Sequence, residues 1–193
     1  MNTKSLPSMV GLCGSLRVNS FNKSLLNICK SELNDRAYFA HLQFDDFPLY
    51  REDRCEDGFP ISVLQLGERI LSSDAVVIST PEYNFSILGG LKNALDWLSR
   101  LPSQPFKNKP VAILGASTGK LGSARAQYHL RQVLQCLEAR VVSKPEVFVA
   151  YATSAMKDGK LADANSLEAI RLLMGKLMES VDTGSVIAHV ANQ

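Results

Sequence analysis

The chain has 193 residues, 46% hydrophobic and 21% charged, with 21 Lys and Arg against 19 Asp and Glu for a formal net charge of +2. That length suits one domain, here spanning 1–193, large enough to bury a core without disulfide or metal staples. The composition is too apolar and too evenly mixed for a disordered chain, and the mild, scattered positive charge excludes a nucleic-acid footprint.

Short apolar runs alternate with segments of helical period. Met9-Val10-Gly11-Leu12-Cys13 reads as a buried strand ending at Gly14-Ser15. Phe21, Leu25, Ile28, Cys29 and Leu33 then form one helical stripe, with Ser20 at the N-cap position. A second strand is predicted within 37–42, followed by an aromatic, acidic loop through 44–57 in which Asp45-Asp46 and the Arg51–Asp57 cluster are expected to be solvated. Residues 61–71 read as a helix and 74–79 as a third strand. Ile87, Leu91, Ala94, Leu95 and Leu98 make another stripe, 102–110 a linker, and 111–115 a fourth strand. Ala126, Leu130, Val133, Leu134 and Leu137 predict a helix, 141–149 a strand broken at Pro145, and Leu167 through Val181 a closing helix. Continuous apolar strands between amphipathic helices imply a parallel sheet covered on both faces. The predicted architecture is a three-layer α/β/α, doubly wound, five-stranded sheet in the flavodoxin-like order 2-1-3-4-5.

Cys13, Cys29, Cys55 and Cys136 are scattered, and none pairs with His41, His129 or His189 at ligand spacing. They are expected to be reduced thiols, with no metal site. No secretory signal and no run of membrane-spanning length stands out, so a cytoplasmic protein without a membrane span is expected.

In an open parallel sheet, ligands bind beyond the carboxyl ends of the strands where the order reverses. Three loops meet that description. The first, Gly14-Ser15-Leu16-Arg17-Val18-Asn19-Ser20-Phe21-Asn22, runs into a helix N-terminus and carries hydroxyl, amide and guanidinium donors suited to a phosphate. It lacks G-x-G-x-x-G, which argues for a terminal phosphate over a pyrophosphate; a capped polar turn is the alternative. The second, Thr80-Pro81-Glu82-Tyr83-Asn84-Phe85-Ser86, offers aromatic walls and polar edges for a planar ring, or simply covers the sheet end. In the third, 116–122, Gly119-Lys120 resembles the end of a P-loop. Leu114 and Leu121 stand where that motif requires Gly and Ser or Thr, so a nucleotide triphosphatase is not expected. No catalytic acid, base or nucleophile is singled out. His129 reads as a solvated or packed helical residue, and Glu82 and Asp96 as carboxylates without an evident partner. Missing acid–base machinery fits chemistry performed by a bound cofactor.

These stretches, Gly14-Ser15-Leu16-Arg17 through Ser20-Phe21-Asn22 and Pro81-Glu82-Tyr83-Asn84 through Leu91-Lys92-Asn93-Ala94-Leu95-Asp96-Trp97, resemble the NADPH-dependent FMN reductase family. The bacterial NAD(P)H quinone reductases, also described as chromate reductases or azoreductases, are the nearest group by resemblance. Ala124 to Arg131 and Lys144-Pro145-Glu146-Val147 extend it, so it covers nearly the whole chain. The resemblance implies noncovalent FMN, with Ser15, Arg17, Ser20 and Asn22 at the phosphate and Leu16 and Phe21 in the same loop. Pro81, Glu82, Tyr83, Asn84 and Phe85 would line the isoalloxazine, and Ser117 would approach it. It further implies hydride transfer from NADPH or NADH to quinone, chromate, an azo compound or free flavin, and a homodimer or homotetramer. Arg125 and Tyr128 lie at i, i+3 on one helix face, and either meet Glu146 across a subunit contact or face solvent. A flavodoxin-type electron carrier is the alternative, against which the +2 charge counts. Two positions depart from the family pattern. Leu88-Gly89-Gly90 stands where Pro-Gly is usual, which is expected to alter helix entry, and Gly122-Ser123 stands where Gly-Gly is usual.

Overall fold

The computed structural model describes residues 5–191, with side chains described through residue 182. The apolar runs form the strands β1 (Ser8–Cys13), β2 (Tyr38–Leu42), β3 (Ala75–Ser79), β4 (Pro110–Ala116), β5 (Arg140–Val141) and β6 (Val147–Val149). All pair in parallel in the order β2-β1-β3-β4-β5, with β6 also on β4. The register sets Val10 beside Ala40, Leu12 beside Ile78, and Ile78 beside Ile113. The predicted order is therefore observed. The fifth strand divides around Pro145, which has no N–H to give to a ladder.

Side-chain alternation along these strands feeds two cores. On one face Val10, Leu12, Val76, Ile78, Val111 and Ile113 pack beneath α3 (Ile61–Leu71), α4 (Gly89–Ser99) and α5 (Ala124–Cys136). On the other, Met9, Val77, Ala112 and Leu114 meet α1 (Phe21–Leu33) and α7 (Ala164–Ala191). Each fully buried Leu, Ile or Val contributes roughly 1.5–3 kcal/mol relative to exposure. Helices on both faces leave ligands only the strand ends.

The 45–46 and 51–57 charges are exposed, as expected, and tertiary contacts add what the sequence did not show. The 44–57 loop is fastened to α4: Asn93 Oδ1 accepts from the Tyr50 amide at 2.7 Å, and Asn93 Nδ2 and Trp97 Nε1 donate to the Pro48 carbonyl at 2.9 and 2.8 Å. Phe44 within it is buried, and a one-turn helix, α2 (Asp53–Glu56), interrupts it. A second one-turn helix, α6 (Ala152–Ala155), precedes a hairpin of β7 (Met156–Lys157) and β8 (Lys160–Leu161) that apolar periodicity did not predict. Leu88 takes φ −61°, the value a proline ring imposes, so helix entry does not need Pro there.

Candidate functional site

The cleft at the carboxyl ends of β1, β3 and β4 begins with glycines. Gly14 donates to the Ser79 carbonyl at 2.8 Å, and a Cβ on it would lie 3.0 Å from the Thr80 hydroxyl. A Cβ on Gly115 would collide with the Thr80 carbonyl and the Ser123 hydroxyl. The three loops can approach this closely only because those positions lack side chains.

Ser20 caps α1, its Oγ accepting from the Asn22 and Lys23 amides at 3.2 and 3.4 Å. Among the described residues, the N–H groups of Val18, Asn19, Ser20 and Phe21 donate to no protein acceptor. Arg17 has no carboxylate partner among those residues and lies with its guanidinium carbon 6.0 Å from the Phe21 ring centroid. A neutral cap, free amides and an unpaired guanidinium make this helix end receptive to an anion. Asn22 works differently. It is buried; its Oδ1 accepts from Ala116 N and Ser79 Oγ, both at 3.0 Å, and its Nδ2 donates to the Ala116 carbonyl at 3.1 Å. It ties the first loop to the ends of β3 and β4. Cys13 faces the same loop, and burial pushes its thiol up, so it stands protonated at neutral pH.

The second loop is a two-residue hairpin in which Tyr83 and Ser86 exchange backbone hydrogen bonds of 3.0 and 2.9 Å. Asn84 and Phe85 take φ of 49° and 67°, the left-handed pair such a turn requires. A bulky residue there is strained, so the surroundings must hold it. They do so from α5. Arg125 lies over the Phe85 ring at 3.7 Å and pairs with Glu82, its Nε donating to Glu82 Oε1 at 2.6 Å. Glu82 Oε2 accepts from the Arg125 and Ala126 amides at 3.0 and 3.3 Å, capping α5 with a carboxylate. Ser86 Oγ and His129 Nδ1 are 2.8 Å apart. Glu82 and His129 thus have partners that spacing did not disclose. Asp96 likewise pairs with Lys92 at 2.6 Å.

A cavity of about 220 Å³ brings together Ser15, Arg17, Ser20, Phe21, Asn22, Pro81, Glu82, Tyr83 and Ser117, joined by Ala116 and Thr118. Leu16, Asn84 and Phe85 are outside its lining; Phe85 stands at the hairpin tip with 67% exposure, and Leu16 is exposed beside Gly90. Ser117 is fixed through its backbone, donating to the Val149 carbonyl at 3.1 Å and accepting from Ala152 N at 2.9 Å. The set offers anion donors at one end, backbone edges in the middle and aromatics at the rim, which suits a phosphate-ended planar cofactor. Within the chain Arg125 is engaged by Glu82, not Glu146. Glu146 meets Lys144 at 2.5 Å and also Tyr128, contacts that hold its carboxyl below the usual range.

The model of the NADPH-dependent FMN reductase family matches residues 7–154. The chain is 44% identical over 164 residues to an NAD(P)H-dependent FMN reductase of Pseudomonas aeruginosa, covering 84% of this chain and 89% of that protein. It is 50% identical over 143 residues to a quinone reductase of Escherichia coli, covering 72% and 74%. Among solved structures, the flavoenzyme NAD(P)H:(acceptor) oxidoreductase FerB of Paracoccus denitrificans superposes with a TM-score of 0.83 at 33% identity, over 92% of this chain and 98% of that one.

Proposed function

We infer that the chain is an NAD(P)H-dependent oxidoreductase with noncovalently bound FMN, because it belongs to the NADPH-dependent FMN reductase family and has a cleft suited to that cofactor. The observation that carries this reading is the first loop, with free amides at a neutrally capped helix end and an Arg lacking a counter-ion. Arg17, Ser15 and the amides of 18–21 hold the phosphate. Pro81, Tyr83 and the backbone of the second loop meet the ring, with Asn84 and Phe85 at its rim and Ser117 on the third side. Asn22 and Glu82 act chiefly as positioning residues. FMN, when bound, supplies the centre that accepts hydride from NADPH or NADH and returns electrons to an acceptor. The polypeptide therefore binds, orients and shields, and no side chain is assigned a catalytic proton transfer.

The acceptor is a quinone, in line with the Escherichia coli relative's name; chromate, azo compounds and free flavin are further candidates. One domain carries the whole activity, in a homodimer or homotetramer. Among the described residues no helix is long and apolar enough to cross a membrane. The four free thiols suit a reducing compartment, and we place the protein in the cytoplasm.

The test is the visible spectrum of the purified protein, under argon, before and after NADPH or NADH. A yellow protein that bleaches, and recovers its colour on adding a quinone, is the expected result. Yellow protein that neither nucleotide bleaches refutes the reductase and identifies a carrier. Colourless protein that takes up no added FMN refutes the cleft.

A further inference from the structure

A second cavity, of about 260 Å³, lies on the other side of the first loop. It is bounded by the end of β1, the first turn of α1, the end of β2 and residues 43–45. Ser15 and Arg17 line both cavities, so the loop is a shared wall. Its apolar surface comes from Leu42 and the buried Phe44 at the base with Cys13, Leu16 and Val18 along the loop, and its charge from Arg17 and Lys23 against one carboxylate, Asp45. Among the described residues neither Arg17 nor Lys23 forms an ion pair. His41 completes the lining, with its ring edge-on to Phe39 at 5.4 Å between centroids. Burial, then the Lys30 and Lys23 ammonium groups, hold its imidazole below the ordinary value. Unpaired cations that repel a proton from a neighbouring imidazole create a local demand for negative charge.

We propose that this second cavity is a phosphate-monoester subsite, in which Lys23, His41 and the outer side of Arg17 hold a dianion above the apolar Leu42–Phe44 surface. A phosphate monoester fits better than a carboxylate. Its second ionisation lies near pH 6, in the range where imidazole titrates, and its three oxygens match a guanidinium, an ammonium and an imidazole N–H together. The phosphate has two possible sources: the 2′-phosphate of NADPH or a free phosphate compound. The first source rests on the oxidoreductase reading, whereas the site itself does not.

The experiment follows the His41 Hε1 resonance, assigned by its loss in His41→Gln, through a pH titration of the FMN-loaded protein. FMN occupies the other face of the loop, so the probe, inorganic phosphate, reports this cavity alone. Phosphate is expected to raise the His41 midpoint by about one unit over sodium chloride of equal ionic strength. Lys23→Gln is expected to raise the midpoint by itself, since a repelling charge is gone, and to abolish the phosphate response. An equal shift with chloride, or a full response in Lys23→Gln, overturns the proposal by reducing it to screening. A KM for NADPH raised about tenfold in Lys23→Gln, with the KM for NADH unchanged, supports the subsite with the 2′-phosphate as source. An unaltered KM ratio beside an intact wild-type phosphate response supports it with a free phosphate compound. Failure to take up FMN or to bleach refutes the oxidoreductase reading instead, and on the apoprotein the response is then located by its loss in Lys23→Gln, because Lys23 lines this cavity and not the first.

Discussion

The N-termini of α1 and α5 face the same cleft and are finished in opposite ways. At α1 the cap is the neutral Ser20 hydroxyl, with free amides before it and Arg17 unpaired. At α5 the cap is the Glu82 carboxylate, whose side chain is only 8% exposed, and Arg125 neutralises it from above. A helix end with an internal carboxylate has its dipole answered within the protein, whereas one capped by a hydroxyl still attracts an anion. The contrast separates free donors from engaged ones: the first loop keeps amides and a guanidinium unpaired, and the second is locked onto its neighbour.

The largest expected effect comes from making the two ends alike. Ser20→Asp keeps an acceptor for the Asn22 and Lys23 amides but sets a negative charge where a phosphate is to lie. FMN affinity is expected to fall about 100-fold, or about 2.7 kcal/mol, with apoprotein stability unchanged or slightly raised. A fluorescence titration with FMN beside thermal unfolding of the apoprotein measures both, and unaltered affinity breaks the comparison. Arg17→Ala acts on the same end by loss of attraction. A drop of about 30-fold, or about 2 kcal/mol, is expected without change in the apoprotein's thermal midpoint.

At α5 the balance reverses. Glu82→Gln is expected to cost about 1–2 kcal/mol in urea unfolding of the apoprotein, since it weakens both the helix cap and the Arg125 pair. Its effect on FMN affinity should be smaller than that of Arg17→Ala. Adding Arg125→Gln should cost less than the two single changes summed, because the residues share one interaction. A loss in FMN binding larger than the loss in stability would move Glu82 from positioning to direct contact.

The smallest effect concerns a third helix end. Asp163 accepts from the Ser166 hydroxyl and from the Ser166 and Asn165 amides at α7, contacts that hold its carboxyl below the usual value. A carboxyl lowered on folding stabilises above its unfolded value of about 3.9, and the contribution is lost as pH falls through the folded value. Asp163→Asn is expected to flatten the acid limb of the stability profile slightly, while Ser20→Ala lowers stability by about 1 kcal/mol equally at all pH values. Parallel profiles for wild type and Asp163→Asn would remove the charged-cap account of α7.

Local chemistry was enough to read the strands of the parallel sheet, the helix stripes, the sheet order and the Ser20 cap, though not the β7–β8 hairpin. Burial on one face repeats with the period of the element, and a cap lies within three residues of the amides it serves. The donors of the first loop were legible for the same reason, since they are neighbours in the chain. The residues that fasten the cleft were not legible. Asn22 bonds Ala116 across 94 positions, Glu82 meets Arg125 across 43, and Asn93 fastens the 44–57 loop from a helix predicted only as an apolar stripe. Nor does the identity of Phe85 announce a left-handed turn, which is tolerated because Arg125 and the Tyr83–Ser86 bonds hold it. Such contacts depend on which strand ends lie side by side. Sequence therefore determined the elements and the donors the first loop carries, and the packing of the sheet decided which polar groups remain free.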